Sequence, residues 1–154
     1  MKKLITSLIL VSFLILSLPS SKANYIAPQA PPTRDVKSMI QEISPRFNQS
    51  PTLISKIMWC ESNHKVALHD NGAGKGVTGI HKNTFRGWLP LYEKEWSETL
   101  RYDSSYDQIK MMSWAFSKGN SYRNQWTSYV AYTNGGTYAF YSKLLKKDFV
   151  VKCS

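Results

Sequence analysis

Apolar side chains recur at helical spacing in six separate stretches of this 154-residue chain. An apolar residue at every third or fourth position gives a helix one face to bury against a core. The first stretch contains Val36, Met39, Ile40 and Ile43, and the last reaches Leu145. The pattern predicts a mainly α-helical domain, in which the glycine-rich segment around residues 72–79 forms a small loop or hairpin.

The first 23 residues have the layout of a secretory signal peptide. Lys2 and Lys3 precede an apolar run over residues 4–18, and Ser21-Lys22-Ala23 supplies a cleavage signal of small residues. About fifteen apolar residues fall short of the roughly twenty that a membrane-spanning helix needs. We therefore expect cleavage after Ala23, export to the periplasm or the extracellular space, and no stable membrane span in the mature chain.

Residues 24–34 contain Pro28, Pro31 and Pro32 with little periodicity, which indicates an extended leader. Residues 35–154 are then enough for one domain with one core. Loss of the signal peptide lowers the formal net charge from +10 to +7, with 17 basic against 10 acidic side chains. Basic charge favours anionic partners such as wall polymers, but no compact run of Lys and Arg indicates a nucleic-acid partner. We expect a monomer.

Turn and cap residues set the expected helix boundaries. Pro45 ends or bends the first helix, and Ser50-Pro51 supplies the N-cap and first turn of the second. Extended structure is expected near residues 77–80. The third predicted helix starts at Thr84 and is interrupted near Pro90. The fourth runs through Ile109, Met112 and Phe116 and is closed by Gly119. A fifth helix is predicted through Trp126 and Tyr132, and a last one through Phe140, Leu144 and Leu145.

Glu61 is a carboxylate within the apolar stripe of the second helix. At about 100° per residue it falls in the middle of the face formed by Leu53, Ile54, Ile57 and Met58. Burial without a partner charge favours a protonated carboxyl group, as a general acid requires near neutral pH. Alternatively, the helix ends near residue 60 and Glu61 turns to solvent. Periodicity alone leaves both interpretations open.

Four segments, in order, resemble motifs of the soluble lytic transglycosylases, within the lysozyme superfamily. Residues 57–63, Ile-Met-Trp-Cys-Glu-Ser-Asn, are similar to the family's Glu-Ser motif. Residues 76–80, Gly-Val-Thr-Gly-Ile, with Thr84 after them, resemble its Gly-Leu-Met-Gln-Ile stretch. Residues 101–112 resemble the segment that leads into its penultimate core helix, and residues 130–135, Val-Ala-Tyr-Thr-Asn-Gly, resemble its Ala-Ala-Tyr-Asn-Ala-Gly motif.

The resemblance, over residues 36 to 145, implies a lysozyme-like α+β fold and cleavage of the β-1,4 bond between N-acetylmuramic acid and N-acetylglucosamine in peptidoglycan. Glu61 would be the general acid and then the base toward the muramic 6-hydroxyl group, giving a 1,6-anhydro product. The substrate's acetamido group would stabilise the intermediate. Matching positions imply that Ser62, Thr78, Ile80, Tyr132 and Asn134 line the glycan cleft. No cofactor and no metal are implied.

Two alternatives accompany this interpretation. Residues 75–88 also resemble the phage-type N-acetylmuramidases, which hydrolyse the same bond with water. Gly79 stands where the transglycosylases usually have Gln, and a side-chain amide is therefore missing beside the sugar or Glu61. A wall-binding module with weakened catalysis would fit that change. Hydrolysis normally needs a second carboxylate. Asp70 is the candidate for that second group, although its place before Asn71-Gly72 favours the role of a turn residue. The pattern of charged residues predicts that Glu93, Glu95 and Glu98 lie on a solvated face.

Cys60 and Cys153 allow two outcomes. In an oxidising compartment they could pair and close a long loop, or Cys60 could remain a buried thiol with Cys153 in a loose tail. A nucleophilic cysteine needs at least a thiol with a nearby imidazole, which Cys60 and His64 could provide. A zinc site could in principle be formed by His64, His69, Asp70 and His81. Neither set has the spacing typical of such sites.

Overall fold

The computed structural model describes residues 34–69, 72–143 and 146–154, without the side chain of His69. The expected signal peptide, the leader up to residue 33, Asp70, Leu144 and Leu145 lie outside this part of the chain. The described residues all belong to one compact unit. Within the described ranges, the helices are too short or too polar to cross a bilayer.

Helices supply most of the described structure, as the sequence predicts, and two antiparallel hairpins complete it. The helices are α1 (Val36–Ile43), α2 (Pro51–Ser62), α3 (Lys82–Trp96), α4 (Ser105–Ser117), α5 (Asn120–Arg123) and α6 (Thr127–Thr133), with a 3-10 turn at Ser44–Phe47. The first hairpin pairs β1 (Ala67–His69) with β2 (Gly74–Gly76), and the second pairs β3 (Thr137–Ser142) with β4 (Lys147–Lys152).

The start of α2 follows from its capping residues. The Ser50 side chain accepts a hydrogen bond from the backbone N–H of Leu53, and Pro51 occupies the first turn, where its missing N–H costs nothing. Asn63 ends the helix in the left-handed conformation. Because α2 extends through Ser62, Glu61 remains on the stripe of Ile54, Ile57 and Met58, all of which are buried.

Helix α4 is the centre of the core. Every residue from Gln108 to Phe116 is buried, so this helix is covered on all sides rather than on the one stripe of Ile109, Met112 and Phe116. Two of its polar side chains, Gln108 and Lys110, find partners inside. Gln108 supports the loop after β2, and Lys110 forms an ion pair with Glu98.

The predicted interruption of the third helix at Pro90 is wrong. Helix α3 runs through Pro90 from Lys82 to Trp96. A proline in a helix interior removes one backbone hydrogen bond. Burial of Phe85 before Pro90 and of Tyr92 after it holds both halves against the same core.

The extended segment lies a few residues earlier than predicted. Strand β2 covers Gly74–Gly76, whereas residues 77–80 contain no strand and bend at Val77 and Thr78. Gly76 and Gly79 have φ of +105° and +69°, a region that breaks a regular ladder and is open mainly to glycine.

The predicted last helix through Phe140 is also wrong, because β3 and β4 occupy this part of the chain. Tyr138, Phe140 and Ser142 point inward and alternate with outward-facing Thr137, Ala139 and Tyr141. That alternation has the period of a strand, and aromatic residues favour strands. Leu144 and Leu145 lie in the undescribed part of the connection.

A disulfide bond joins Cys60 of α2 to Cys153, directly after β4, with the two Cα atoms 5.6 Å apart. Cys153 is buried, and its backbone N–H donates a hydrogen bond of 2.8 Å to the carbonyl of Gly136, just before β3. The second hairpin is therefore attached at its base to the helix that carries Glu61.

Candidate active site

Glu61 lies in a cleft with a volume of about 410 Å³. One wall comes from α2 and the loop before α3, and the other comes from the start of α6 and the second hairpin. The lining residues beside Glu61 are Cys60, Gly79, Ile80, His81, Thr84, Gln125, Trp126, Thr127, Phe140, Ser142, Phe149 and Val151. Among these residues, Glu61 is the one with a carboxyl side chain.

Ser128 holds one oxygen of the Glu61 carboxyl group. Its hydroxyl group donates a hydrogen bond of 2.5 Å to Oε1 of Glu61, and its backbone N–H points at the same oxygen from 3.4 Å. Ser128 is fully buried in the first turn of α6. The contact therefore fixes the orientation of the carboxyl group from a rigid element.

Gly79 lies against the other oxygen. A Cβ atom placed on Gly79 would come within 2.8 Å of Oε2 of Glu61, closer than such atoms approach in real structures. Gly79 also has a φ of +69°, which other residues rarely adopt. The absence of a side chain at this position is therefore what allows the backbone to approach the carboxyl group so closely.

Gln108 holds the loop that carries Gly79. Its Oε1 atom accepts hydrogen bonds from the backbone N–H of Val77, at 3.1 Å, and from the hydroxyl group of Thr78, at 3.2 Å. Its Nε2 atom donates to the carbonyl oxygens of Lys75 and Tyr102, at 2.9 and 2.7 Å. A buried amide with both ends satisfied gives the loop a single conformation.

Two aromatic side chains fix the same loop from either end. The Nε1–H group of Trp126 donates to the carbonyl of Thr78 at 2.8 Å. The hydroxyl group of Tyr102 donates to the carbonyl of Ile80 at 2.9 Å and accepts from the N–H of Lys75 at 2.8 Å. Burial raises the pKa of Tyr102 above its usual value of 10.0, so the hydroxyl group keeps the proton that it donates.

The structure brings only some of the expected site residues together. Ile80 lies in the cleft with Glu61. The Ser62 hydroxyl group donates to the carbonyl oxygens of Met58 and Val77, at 3.1 and 2.6 Å, and so ties α2 to the loop from behind. Thr78 is fully buried and faces Gln108 rather than the cleft.

Tyr132 and Asn134, the last two expected site residues, are exposed near the end of α6 and lie outside the cleft lining. Tyr132 is 44% exposed and follows Ser128 by four residues, which places the two on the same face of the helix. The fourth motif, residues 130–135, therefore marks the helix that reaches the site. The residue of this helix that contacts Glu61 is Ser128, which precedes the motif.

Two of the three carboxylates expected on a solvated face are partly exposed and also contact α4 or its C-cap Lys118. Glu95 accepts a hydrogen bond of 2.9 Å from Nε1 of Trp114 and pairs with Lys118 at 2.5 Å. Glu98 accepts from the hydroxyl group of Tyr92, at 3.0 Å, and pairs with buried Lys110.

These contacts shift the pKa values of Glu95, Glu98 and Tyr92. The hydrogen bond from Lys118 holds the pKa of Glu95 below its ordinary value of 4.5, and the one from Lys110 does the same for the pKa of Glu98. Burial, with the hydrogen bond to Glu98, raises the pKa of Tyr92 well above its ordinary value. Because Glu93, Glu95 and Glu98 are absent from the cleft lining, none of them is placed to act beside Glu61.

The disulfide bond excludes a nucleophilic thiol at Cys60. His64 is in contact with Ser55, whose carbonyl oxygen lies 2.8 Å from Nε2, and with the exposed ring of Trp59. In the described ranges no cluster of three or more His, Cys, Asp or Glu residues could hold a metal ion.

Sequence reasoning missed Ser128, Gln108 and the aromatic wall of the second hairpin. Gln108 lies four residues before Met112, at the edge of the apolar face of its helix, and a polar side chain in that position is a weak signal of burial. Ser128 had no comparable signal. The apolar spacing predicts a helix at Phe140, whereas the structure pairs Phe140 with Phe149 across a hairpin.

Comparison of the chain with protein-family models, with curated proteins and with solved structures finds no match in any of the three.

Proposed function

We propose that the protein is an exported peptidoglycan lytic transglycosylase that cleaves the β-1,4 bond after N-acetylmuramic acid, with Glu61 as its acid and base. The observation that carries the proposal is the fixed position of Glu61 in the cleft, between the Ser128 hydroxyl group on Oε1 and the Gly79 backbone beside Oε2. The motif resemblance supplies the substrate.

The reaction needs one carboxyl group used twice. Protonated Glu61 gives its proton to the glycosidic oxygen as the bond to the muramic C1 atom breaks, and N-acetylglucosamine leaves with a hydroxyl group. The substrate's acetamido group stabilises the electron-poor C1 atom. The Glu61 carboxylate then takes the proton of the muramic 6-hydroxyl group while that oxygen attacks C1. Protons balance, and water is not consumed.

The composition of the cleft favours this reaction over hydrolysis. Glycosidases that use water typically place a second carboxyl group about 5 to 10 Å from the first. Among the described lining residues, no residue other than Glu61 carries a carboxyl side chain. Asp70 lies outside the described part of the chain and is the residue to substitute if the products prove to be hydrolytic.

The proposal is tested by incubating the purified mature protein with peptidoglycan sacculi and measuring the release of soluble fragments. Glu61→Gln is the matched variant, because its amide oxygen can still accept the hydrogen bond from Ser128 but the side chain cannot transfer a proton. We expect release by the wild-type protein and almost none by Glu61→Gln. Equal release by both proteins would refute the role of Glu61. If the wild-type protein binds sacculi but releases no fragments, the protein would be a wall-binding module rather than an enzyme.

A further inference from the structure

We propose that the inner face of the second hairpin binds a sugar ring of the glycan chain, through Phe140 and Phe149, beside the bond that Glu61 cleaves. The inference rests on the proposed function and names a second surface for the same substrate. It concerns a wall of the cleft that none of the four sequence motifs contains.

The hairpin presents a row of aromatic rings. Phe140 lies directly opposite Phe149 in the register of the two strands. Their ring centroids are 5.7 Å apart, with an angle of 18° between the planes. Tyr138 continues the row, 5.7 Å from Phe140 and at 14° to it. Three nearly parallel rings therefore share one face of a two-stranded sheet.

Only the base of this row belongs to the core. Tyr138 and Val151 pack against the buried cluster of the domain. Phe140 and Phe149 lie two residues farther toward the hairpin tip, are half-buried, and line the cleft that contains Glu61. Half-exposed rings in a cleft of this size resemble the apolar walls of small-molecule sites more than core packing.

A sugar ring is the occupant that this surface fits. A pyranose carries C–H groups on its ring faces, which pack on aromatic carbon, and hydroxyl and amide groups around its rim. The neighbouring lining residues Gln125, Thr127 and Ser142 provide hydrogen-bonding groups for such a rim. A mixture of aromatic surface and a few polar groups is what orients a ligand of this kind.

The position of the hairpin is coupled to that of the acid. Cys60 precedes Glu61 in α2, and its disulfide partner Cys153 follows β4. A sugar held on Phe140 and Phe149 is thereby held at a fixed distance from the Glu61 carboxyl group. Fixing the substrate relative to a catalytic group is a direct source of rate enhancement.

The test measures binding without cleavage. The Glu61→Gln protein is titrated with the tetrasaccharide of N-acetylglucosamine by calorimetry, alone and combined with Phe140→Leu or Phe149→Leu, which keep an apolar side chain but remove the ring. We expect each Leu variant to raise Kd about fivefold, in line with the usual strength of aromatic contacts. Phe140→Tyr should bind like the reference.

Tyr141→Leu is the matched control, because Tyr141 lies on the outer face of the same strand and is 57% exposed. Its Kd and thermal midpoint should not change. Unchanged Kd in both Phe variants, an equal loss in Tyr141→Leu, or no binding by the Glu61→Gln reference would each overturn the inference. The two proposals can fail separately. If both Phe variants bind more weakly, Tyr141→Leu binds normally and the wild-type protein releases nothing from sacculi, the proposed cleavage is refuted but the sugar-binding surface is supported.

Discussion

The hydroxyl group of Ser128 donates a hydrogen bond of 2.5 Å to Oε1 of Glu61, from a position 67 residues farther along the chain. This contact joins α2 to α6 across the floor of the cleft. The orientation of the proposed acid therefore depends on the first turn of α6, just before the motif at residues 130–135 that contains Tyr132 and Asn134.

Ser128→Ala should therefore lower kcat with little effect on KM. A hydrogen bond to a charged group contributes about 1.5 to 3 kcal/mol, which corresponds to a loss of roughly tenfold or more if it is expressed in the transition state. The measurement is the rate of fragment release over a range of sacculus concentrations. Ser117→Ala is the control, since Ser117 bonds only to the carbonyl of Trp114 in the described contacts. Equal rates for Ser128→Ala and wild type would remove Ser128 from the mechanism.

Gly79→Gln, which would restore the residue usual in the transglycosylases, should impair this protein rather than improve it. Any side chain at position 79 would crowd Oε2 of Glu61 and would occupy a backbone conformation that costs other residues about 1 to 2 kcal/mol. Gly79→Ala should show the same loss of activity, with a lower free energy of unfolding in urea.

Gly87→Ala provides the comparison for position 79. Gly87 lies within α3, with open space where its Cβ atom would be, so alanine there should leave activity unchanged and raise stability by about 0.5 to 1 kcal/mol. Greater activity in Gly79→Gln than in wild type would mean that the close approach of the Gly79 backbone has no functional value.

Reduction of the Cys60–Cys153 bond should lower both stability and activity. The bond closes a loop over a sequence separation of 93 residues, for which the loss on reduction is at most about 4 to 5 kcal/mol. It also attaches the second hairpin to the helix of Glu61. Thermal unfolding and fragment release should both decline with dithiothreitol, whereas the Cys60→Ser, Cys153→Ser double variant should not respond to it. An unchanged midpoint in the reduced wild type would contradict this.

Stability should fall as the pH is lowered below about 4.5, through the ion pairs of Glu95 and Glu98. Both carboxyl groups have a pKa below 4.5 in the folded protein, so the unfolded chain takes up protons at a higher pH than the folded one. Their stabilisation is complete above 4.5 and is lost as the pH falls through the folded values.

Glu98→Gln tests that assignment directly. It should reduce the free energy of unfolding at pH 7 by about 1 to 2 kcal/mol, a modest value because the Glu98 side chain is 38% exposed. It should also make the acid-side decline shallower in urea titrations between pH 7 and 3. Asp103→Asn is the control, since Asp103 is 81% exposed and lies 3.8 Å from Lys75. The same pH dependence in Glu98→Gln as in wild type would assign the decline to other groups.

The sequence allowed prediction of the helices whose signals are local. Ser50 and Pro51 set the start of α2 through a cap and a fixed φ, and the apolar stripe kept Glu61 on the core-facing side. The centre of α4 was located, although its burial on all sides was not, because a stripe shows one buried face and cannot show that other elements cover the rest.

Features that depend on contacts between residues distant in sequence cannot be predicted from local patterns. Phe140 carries the same apolar signal in a strand as in a helix, and its pairing with Phe149, which lies outside the local sequence, decides in favour of a strand. The contacts of Gln108 with Val77 and of Ser128 with Glu61 are set by packing, not by spacing along the chain. Gly79, noted as a missing amide, acquires its physical meaning only from the distance to Oε2 of Glu61.

In the proposed reaction Glu61 transfers a proton twice and no water enters the product. Mass spectrometry of the muropeptides released from sacculi measures this directly, because a 1,6-anhydro end is lighter than a hydrolysed reducing end by one water molecule. Anhydro ends are expected from the wild-type protein and none from Glu61→Gln. Fragments carrying reducing ends, with the mass of one added water, would contradict the proposed reaction.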